Sequence, residues 1–572
     1  MEENIYQQIK DIEKIEALSI DSNKEYEVCS QEDSFGEEIK ENSVFIVAGS
    51  FFGDEGKGKM TDAIASNPSV KIIARVNSGE NAGHSVCNGE KQFVFHLTPS
   101  AIGLKDKICL IGSECVMDPV SFVEKEINQL KEAGIEYKSR FFVGNTHIVT
   151  PIHKILDFAL SKNNSSTLKG MSYIHASKAR KMGLRLNDLF NSEEIQKQKI
   201  KKELSEYQAL IKNKNLTEEI ILKKLEEFSK EKSVPNHLFD FLKAENKEEY
   251  LVNLYKKYVV NNEEFPRRID VSNKINDSLE KGEKILLESP QSYWLSNAIP
   301  KHWGSSTSAQ THAAGVLASS GINFTKYKIM VINVVKTPGD SRVGIGANPA
   351  GFVPQDYFSK KGINDLGKFG NSCIDFEKIQ KQYFESIQEN GISIPNSYED
   401  ESGKYKINEA LAISMSRHFG EKGATTGKPR VTGMFDLVAF NQVIKSQGPY
   451  FSISALDRGD DLDKISMVVA YIYYNEKNEE AESNGKTYKN FDMININSEY
   501  PCERVLKYCH PIIRLFDSWK DKKVSHKKRE SNEPLPKEAQ KFIAVIEELT
   551  KAKIISVGNG PNTENLIYLK RK

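Results

Sequence analysis

The chain has 572 residues, and 79 Lys and Arg balance 79 Asp and Glu, so the formal net charge at neutral pH is zero. The length allows a large buried core, and the charge balance removes any general electrostatic reason to expect nucleic acid or an anionic membrane as partner. No apolar run approaches the roughly 20 residues that span a bilayer.

Residues 1–42 are acidic and polar, without the apolar centre of a secretory signal. They are expected to form a flexible or loosely docked arm, with a short amphipathic helix around Ile5 to Leu18 as the alternative. Ser43 to Gly49 (Ser-Val-Phe-Ile-Val-Ala-Gly) reads as a buried strand, followed by a glycine-rich turn and a helix from about Lys57 to Ala65. Further buried strands are expected at Lys71–Val76, Lys107–Ile111, Lys284–Glu288, Lys328–Val335 and Phe451–Ser454. Short β-branched runs separated by helical patterns imply an α/β fold, a large and mostly parallel sheet covered by helices on both faces. Residues 191–264, rich in Lys, Glu and Leu at helical spacing, read as a helical subdomain laid over that sheet. Residues 478–489 and 520–534 read as polar loops. The seven cysteines, Cys29, Cys87, Cys109, Cys115, Cys373, Cys502 and Cys509, include no Cys-x-x-Cys pair. They are expected to be free thiols in a reducing, cytoplasmic setting, with no zinc site.

The strongest local signal is Gly49-Ser-Phe-Phe-Gly53-Asp54-Glu55-Gly56-Lys57-Gly58-Lys59, between a predicted strand and a predicted helix. Such a turn lets backbone N–H groups curl around a phosphate, the helix N-terminus adds a favourable dipole, and Lys57 can neutralise charge on a transferred phosphoryl group. The spacing is not that of the usual P-loop, Gly-x4-Gly-Lys-Ser/Thr. Six residues separate Gly49 from Gly56, and Gly58 stands where a hydroxyl would meet Mg²⁺. The acid in its middle, Asp54, is electrostatically awkward in a phosphate cradle unless it binds a metal or takes a proton.

Gly53 to Lys59 resembles the signature of the adenylosuccinate synthetase family, and the resemblance continues in order along the chain. It includes Asn81-Ala-Gly-His84-Ser, Phe95 to Ile102, Ile111 to Pro119, Gly183 to Phe190, Leu287-Glu-Ser-Pro-Gln291, Ser341-Arg-Val-Gly344, Gly423-Ala-Thr-Thr-Gly-Lys-Pro-Arg430, Leu456-Asp457 and Ile555-Ser-Val-Gly558. It implies one catalytic domain over 43–572 that ligates L-aspartate to IMP with GTP as co-substrate and Mg²⁺ as cofactor, through a 6-phosphoryl intermediate, in a homodimer. A 6-oxo group is a poor leaving group. The chemistry needs a base near N1, a phosphoryl donor, and a donor or cation that stabilises charge between O6 and the γ-phosphate.

By that resemblance Asp54 is the base and a metal ligand, His84 the acid or electrostatic stabiliser, Lys57 a phosphate contact, and Gln291 the group that orients the purine. Asn81 and the backbone at Gly83 approach nucleotide and metal. Thr167 falls at the 5′-phosphate, Lys181 or Arg180 where an arginine reaches across the dimer, and Ser305 or Ser306 at another phosphate-binding threonine. Thr425, Thr426, Arg430 and Val343 are implied to bind aspartate, with Lys428 near the ribose. Gly53, Glu55, Gly56, Lys57, Gly58, Asp457, Ser556 and Gly558 are implied to bind GTP.

Several positions depart from the family's pattern. Ala455 replaces the lysine that covers the guanine, Lys428 replaces an arginine, Leu168 a glycine, and the stretch after Gln291 bears little likeness. Two alternatives therefore stand beside the first reading. One is the same chemistry on another purine nucleotide, amino-acid donor or triphosphate. The other is a nucleotide-binding regulatory or scaffold protein without turnover. Viral relatives that act on 2-aminopurine nucleotides lose the aspartate matching Asp54, so its presence favours a hypoxanthine nucleotide.

Overall fold

The computed structural model describes residues 16–22, 24–36, 40–80, 83–88, 91–160, 168–366, 375–387, 406–423, 427–526 and 533–572. Among them a twelve-stranded sheet forms the centre. Its strands in chain order are β1 (Tyr26–Cys29), β2 (Val44–Gly49), β3 (Val70–Ser78), β4 (Ile108–Met117), β5 (Phe141–Val143), β6 (His147–Ile148), β7 (Arg267–Arg268), β8 (Lys284–Ser292), β9 (Ile329–Val335), β10 (Tyr450–Ile453), β11 (Lys553–Gly558) and β12 (Leu566–Arg571). Across the sheet the order is β1-β12-β11-β10-β9-β2-β8-β3-β4-β5-β7, with β6 paired to β4. Only β1–β12 and β11–β12 are antiparallel.

The central strand β2 explains why its sequence is an unbroken apolar run. Phe45 and Val47 pack with Met60 and Ile64 of helix α2 (Lys57–Ala65) on one face. Val44, Ile46 and Ala48 pack with Ala313 and Val316 of helix α3 (Ala313–Ser320) on the other. A parallel strand covered on both faces has no polar side, and each such apolar side chain contributes about 1.5–3 kcal/mol on burial. The parallel strands β2, β8, β9, β10 and β11 end on the same edge of the sheet, the edge where α/β proteins place ligands.

The segment 191–264 forms helices Glu193–Asn213, Glu218–Ser229, Asn236–Lys243 and Lys247–Tyr255, the last continued by Lys256–Val260. Their apolar stripes, including Tyr207, Leu225, Phe241 and Tyr255, join one core with strands β4 and β5.

Two regions differ from the sequence reading. Of the expected arm, the described residues are built into the fold. β1 closes one edge of the sheet against β12, and Tyr26 and Phe35 are buried. The proposed helix at Ile5–Leu18 lies mostly outside the described residues. Residues 478–489, expected to be a loop, contain the hairpin Ala481–Ser483 with Lys486–Tyr488. Its turn is Asn484-Gly485, both at positive φ (53° and 79°), a sequence that suits a two-residue hairpin turn. A further four-stranded sheet, Phe435–Asp436, Lys464–Tyr473, Met493–Asn495 and Cys509–Asp517, packs beside the main one and had no counterpart in the sequence reading.

Candidate active site

The loop between β2 and α2 is shaped from inside by Glu55. Its side chain is fully buried, and Oε1 accepts from the backbone N–H of Phe51 (3.1 Å) and of Gly53 (2.9 Å). Oε2 accepts from the Lys57 ammonium (2.9 Å) and the Ser292 hydroxyl (2.5 Å), and Lys57 also reaches Ser292 Oγ at 3.3 Å. Burial alone would push the Glu55 carboxyl up, but Lys57 and these hydrogen bonds hold it below the ordinary value. A Cβ on Gly49 would come within 2.2 Å of Ser292 Oγ and 2.6 Å of Glu55 Oε2, so this position must be glycine.

With Glu55 turned inward, Asp54 is left at the loop's crest. It sits at φ 58°, in the left-handed region, between Gly53 (φ 100°) and Gly56 (φ 81°). A non-glycine residue there costs about 1–2 kcal/mol. Its Oδ2 lies 3.2 Å from Arg430 Nε, and neither atom has a hydrogen bond within the protein. Other buried polar atoms on segments that meet this loop are equally without partner: Ser50 Oγ, Gln291 Oε1, Thr337 Oγ1, Asp340 Oδ1 and Thr432 Oγ1. Unmatched buried polar groups are costly in a folded core, so these atoms are ones that a polar ligand could satisfy.

Arg430 comes from a hairpin whose stems are tied by Arg430 N–H to Glu421 O (2.9 Å) and Gly423 N–H to Lys428 O (2.9 Å). The root of the hairpin is a buried ion triad. Glu421 binds the Lys336 ammonium (2.9 Å) at the end of β9 and pairs with Arg458, which also donates to Gly339 O (2.8 Å). Burial raises the Glu421 carboxyl, but the two cations outweigh it and hold it at about 2. Asp340, beside Lys336, has its carboxyl pushed well above the usual range by burial and the nearby carboxylates of Glu55 and Glu421, against the pull of Lys336. Val343 faces the loop: its N–H donates to Phe52 O (2.9 Å), and its Cγ2 would lie 2.6 Å from a Cβ on Gly53.

On the other flank, Asp457 follows β10 in the turn Leu456–Asp461. Burial pushes its carboxyl up, and the Lys59 ammonium opposes that shift. Lys59 spans the gap to β10 and β11, donating to Ser454 O (3.3 Å) and Gly560 O (2.8 Å). A Cβ on Gly558 would meet Ser454 O at 2.3 Å, so the two strand ends approach through backbone alone.

The structure therefore brings together Gly53, Asp54, Glu55, Gly56, Lys57, Gly58, Gln291, Val343 and Arg430, and beside them Asp457 and Gly558. Glu55 and Ser556 turn their side chains away from any ligand, the first into the loop and the second to Ser452 Oγ (2.8 Å). Lys57 is held by Glu55 and Ser292, not aimed outward. Lys428 is exposed on the hairpin. Ser306 donates to Trp303 O (2.9 Å), while Ser305 is fixed between Arg342 and Glu503. Lys181 is exposed, and Arg180 pairs with Glu206 of its own chain. Gly83 precedes the strand His84–Asn88, which pairs with Lys91–Phe95. Asn81, Thr167, Thr425, Thr426 and the side chain of His84 lie outside the described residues. Sequence reasoning missed Ser292, Lys59 and the Lys336–Glu421–Arg458 triad. The only signal for Lys59 was the second lysine of Gly-Lys-Gly-Lys.

A phosphate-type loop with a carboxylate at its crest, on the carboxyl edge of a parallel sheet and facing an arginine from another segment, defines a nucleotide-dependent α/β protein built for phosphoryl transfer. The sequence pattern of the adenylosuccinate synthetase family matches residues 46–567. Similar proteins include the adenylosuccinate synthetase of Trypanosoma brucei gambiense, 49% identical over 96% of this chain and 93% of that protein. Adenylosuccinate synthetase 2 of Trypanosoma cruzi is 48% identical over 99% and 94%, and the Leishmania infantum adenylosuccinate synthetase 48% identical over 96% and 79%. The solved structure of fully ligated adenylosuccinate synthetase from Plasmodium falciparum shares the fold, with a TM-score of 0.62 at 22% identity, covering 92% of this chain and all of that one. The chain belongs to the adenylosuccinate synthetase family.

Proposed function

We propose that this chain joins L-aspartate to IMP, with hydrolysis of GTP to GDP and phosphate, to form adenylosuccinate. The observation that carries the reading is Asp54: a carboxylate at the crest of a phosphate loop, held in a left-handed conformation, with an oxygen that is ion-paired to Arg430 and accepts no hydrogen bond from the protein. Asp54 takes the proton from purine N1, so that O6 attacks the γ-phosphorus and the bond to GDP breaks. The aspartate amine then displaces phosphate from C6. Gln291, whose Oε1 is free to accept, orients the purine. His84 supports the phosphoryl oxygen. Arg430 turns from Asp54 to a carboxylate of aspartate, a task suited to a planar guanidinium, with Thr425, Thr426 and Val343 around it.

Magnesium fits this donor set. Among the described residues no group of three or more His, Cys, Asp or Glu side chains forms a cage, but Mg²⁺ commonly uses one carboxylate with substrate phosphates and waters, and the Asp54 carboxylate, once Arg430 turns away from it, would hold it with the Gly83 backbone. Bound there, the ion would neutralise phosphate charge. The remaining nucleotide contacts fall to Asn81, Thr167, Lys181, Ser306 and Lys428 for IMP, and to the loop backbone, Asp457 and Gly558 for GTP. A homodimer would let Arg180 or Lys181 serve the partner's phosphate site. Free thiols at Cys29, Cys109, Cys115, Cys502 and Cys509 support a reducing, cytoplasmic location, and no described helix is long and apolar enough to cross a membrane.

The test is phosphate release with IMP, GTP, aspartate and Mg²⁺, each substrate replaced singly, comparing the chain with Asp54→Asn. The variant should lose at least about 10²-fold in turnover while keeping its fold. Retention of more than half the rate would remove Asp54 from the chemistry. Turnover only with another purine nucleotide, donor or triphosphate would reassign the substrate.

A further inference from the structure

We propose that the N-terminal turn α1 (Gln31–Phe35) is a positioning element for the nucleoside triphosphate: it braces helix α2, which carries the phosphate loop, against strand β11, which leads to the base side of the site. The inference rests on the reading of those two elements as the GTP site.

The contacts bridge the two elements from behind. Ser30 caps the turn, its hydroxyl accepting from Asp33 N–H at 3.1 Å. Gln31 Nε2 donates to Ala63 O in α2 (3.0 Å) and to the Tyr568 hydroxyl on β12 (2.9 Å). The Ser34 hydroxyl lies 2.6 Å from Ile555 O on β11 and 2.9 Å from Leu569 O on β12. Ile555 is the residue skipped in the β10–β11 register, where Phe451 faces Ile554 and Ser452 faces Ser556. Ser34 thus reaches a carbonyl at a ladder irregularity, one residue before Ser556. Phe35, 3% exposed, packs in one cluster with Met60, Ile64 and Ala65 of α2 and Ile555 of β11.

The front of the same gap is closed by Lys59, which joins α2 to Ser454 and Gly560. The separation between the phosphate loop and the base-reading ends is therefore fixed at two points, one inside the site and one outside it. The rear brace is itself anchored. β1 pairs with β12 along its length, the Tyr26 hydroxyl donates to Glu547 (2.9 Å), and Arg514 donates to Ala17 O (3.1 Å) and Ile20 O (2.7 Å). The hydrogen bonds of Gln31 and Ser34 and the packing of Phe35 run to α2, β11 and β12 and not to Asp54, Gln291 or Arg430, so loosening the brace alters how the triphosphate is held and not the chemistry on the purine.

The test uses the full chain carrying Gln31→Ala with Ser34→Ala, titrated with a fluorescent GTP derivative. The Kd for that derivative should rise at least about fivefold once the hydrogen bonds of the brace are lost. The KM for IMP and kcat at saturating GTP should change by less than about twofold over the same comparison. Ser34→Thr, which keeps the hydroxyl, should bind the derivative like the parent chain. An unchanged Kd with a lowered unfolding midpoint, or equal weakening of GTP and IMP, would make the turn merely structural and overturn the proposal. A parent chain that binds no GTP derivative would overturn the site reading itself, a result seen before any variant is compared.

Discussion

Replacing Glu421 by Gln removes the carboxylate that binds both Lys336 and Arg458 at the root of the Arg430 hairpin. Those cations bring its carboxyl from 4.5 to about 2. At 1.36 kcal/mol per unit, that shift is of order 3 kcal/mol of stability, comparable to the cost of breaking a buried ion pair. Asp340 does little to offset the loss, because burial is the main cause of its raised carboxyl and the Glu421 charge a minor one. The folded value lies below the unfolded one, so the contribution is complete above about pH 4.5 and is lost as the pH falls towards 2. Urea unfolding followed through the buried Trp294 and Trp519 should separate parent and variant by up to about 3 kcal/mol at pH 7. By about pH 3.5 the gap should narrow by roughly 1 kcal/mol. A gap under about 1 kcal/mol at pH 7, or one that does not narrow in acid, would refute this account of the triad.

Arg430→Ala should raise the aspartate KM at least about tenfold with a smaller effect on the IMP KM, while Lys428→Arg should preserve or improve aspartate use; steady-state kinetics with each substrate varied checks both. Ser292→Ala, which strips one donor from Glu55 and one acceptor from Lys57, should cost about 1–2 kcal/mol in urea unfolding and raise the GTP KM. GTP should be used in preference to ATP, and Asp457→Asn should erase most of that preference, because a buried acceptor discriminates by being left unpaired with the wrong base; equal use of both triphosphates by the parent chain would show that Asp457 reads no base.

Much of the centre was legible because it depends on local pattern. The apolar run of β2, the glycines around Asp54 and the helix after them are all within about ten residues of one another, and each strand expected at Lys71, Lys107, Lys284, Lys328 and Phe451 lies in the main sheet. What escaped depends on distant partners. Tyr-Glu-Val-Cys in β1 looks like any polar stretch until β12 is beside it. The Asn484-Gly485 turn was in plain view, but its flanking strands are only three residues each, too short for a periodic signal. Glu421, Lys336 and Arg458 come from three separate segments, and nothing in the spacing of charges says that they meet. Glu55 is the instructive case. Its place in the glycine-rich signature did not say that its side chain turns into the loop while that of Asp54 turns outward, which leaves the Glu55 backbone as the part able to meet a ligand.

That inward carboxylate means the resting loop already contains an anion of its own. Glu55 occupies the N–H groups of Phe51 and Gly53 and the ammonium of Lys57, the kinds of donors a phosphate would seek. Glu55 therefore holds the curvature of the loop from within, and a triphosphate would meet a partly satisfied cradle. For Lys57 to turn to a phosphoryl oxygen it must leave Glu55, which then keeps only the two backbone N–H groups and the Ser292 hydroxyl. Binding at this lysine is an exchange between two anions, and its strength is set by the difference between them.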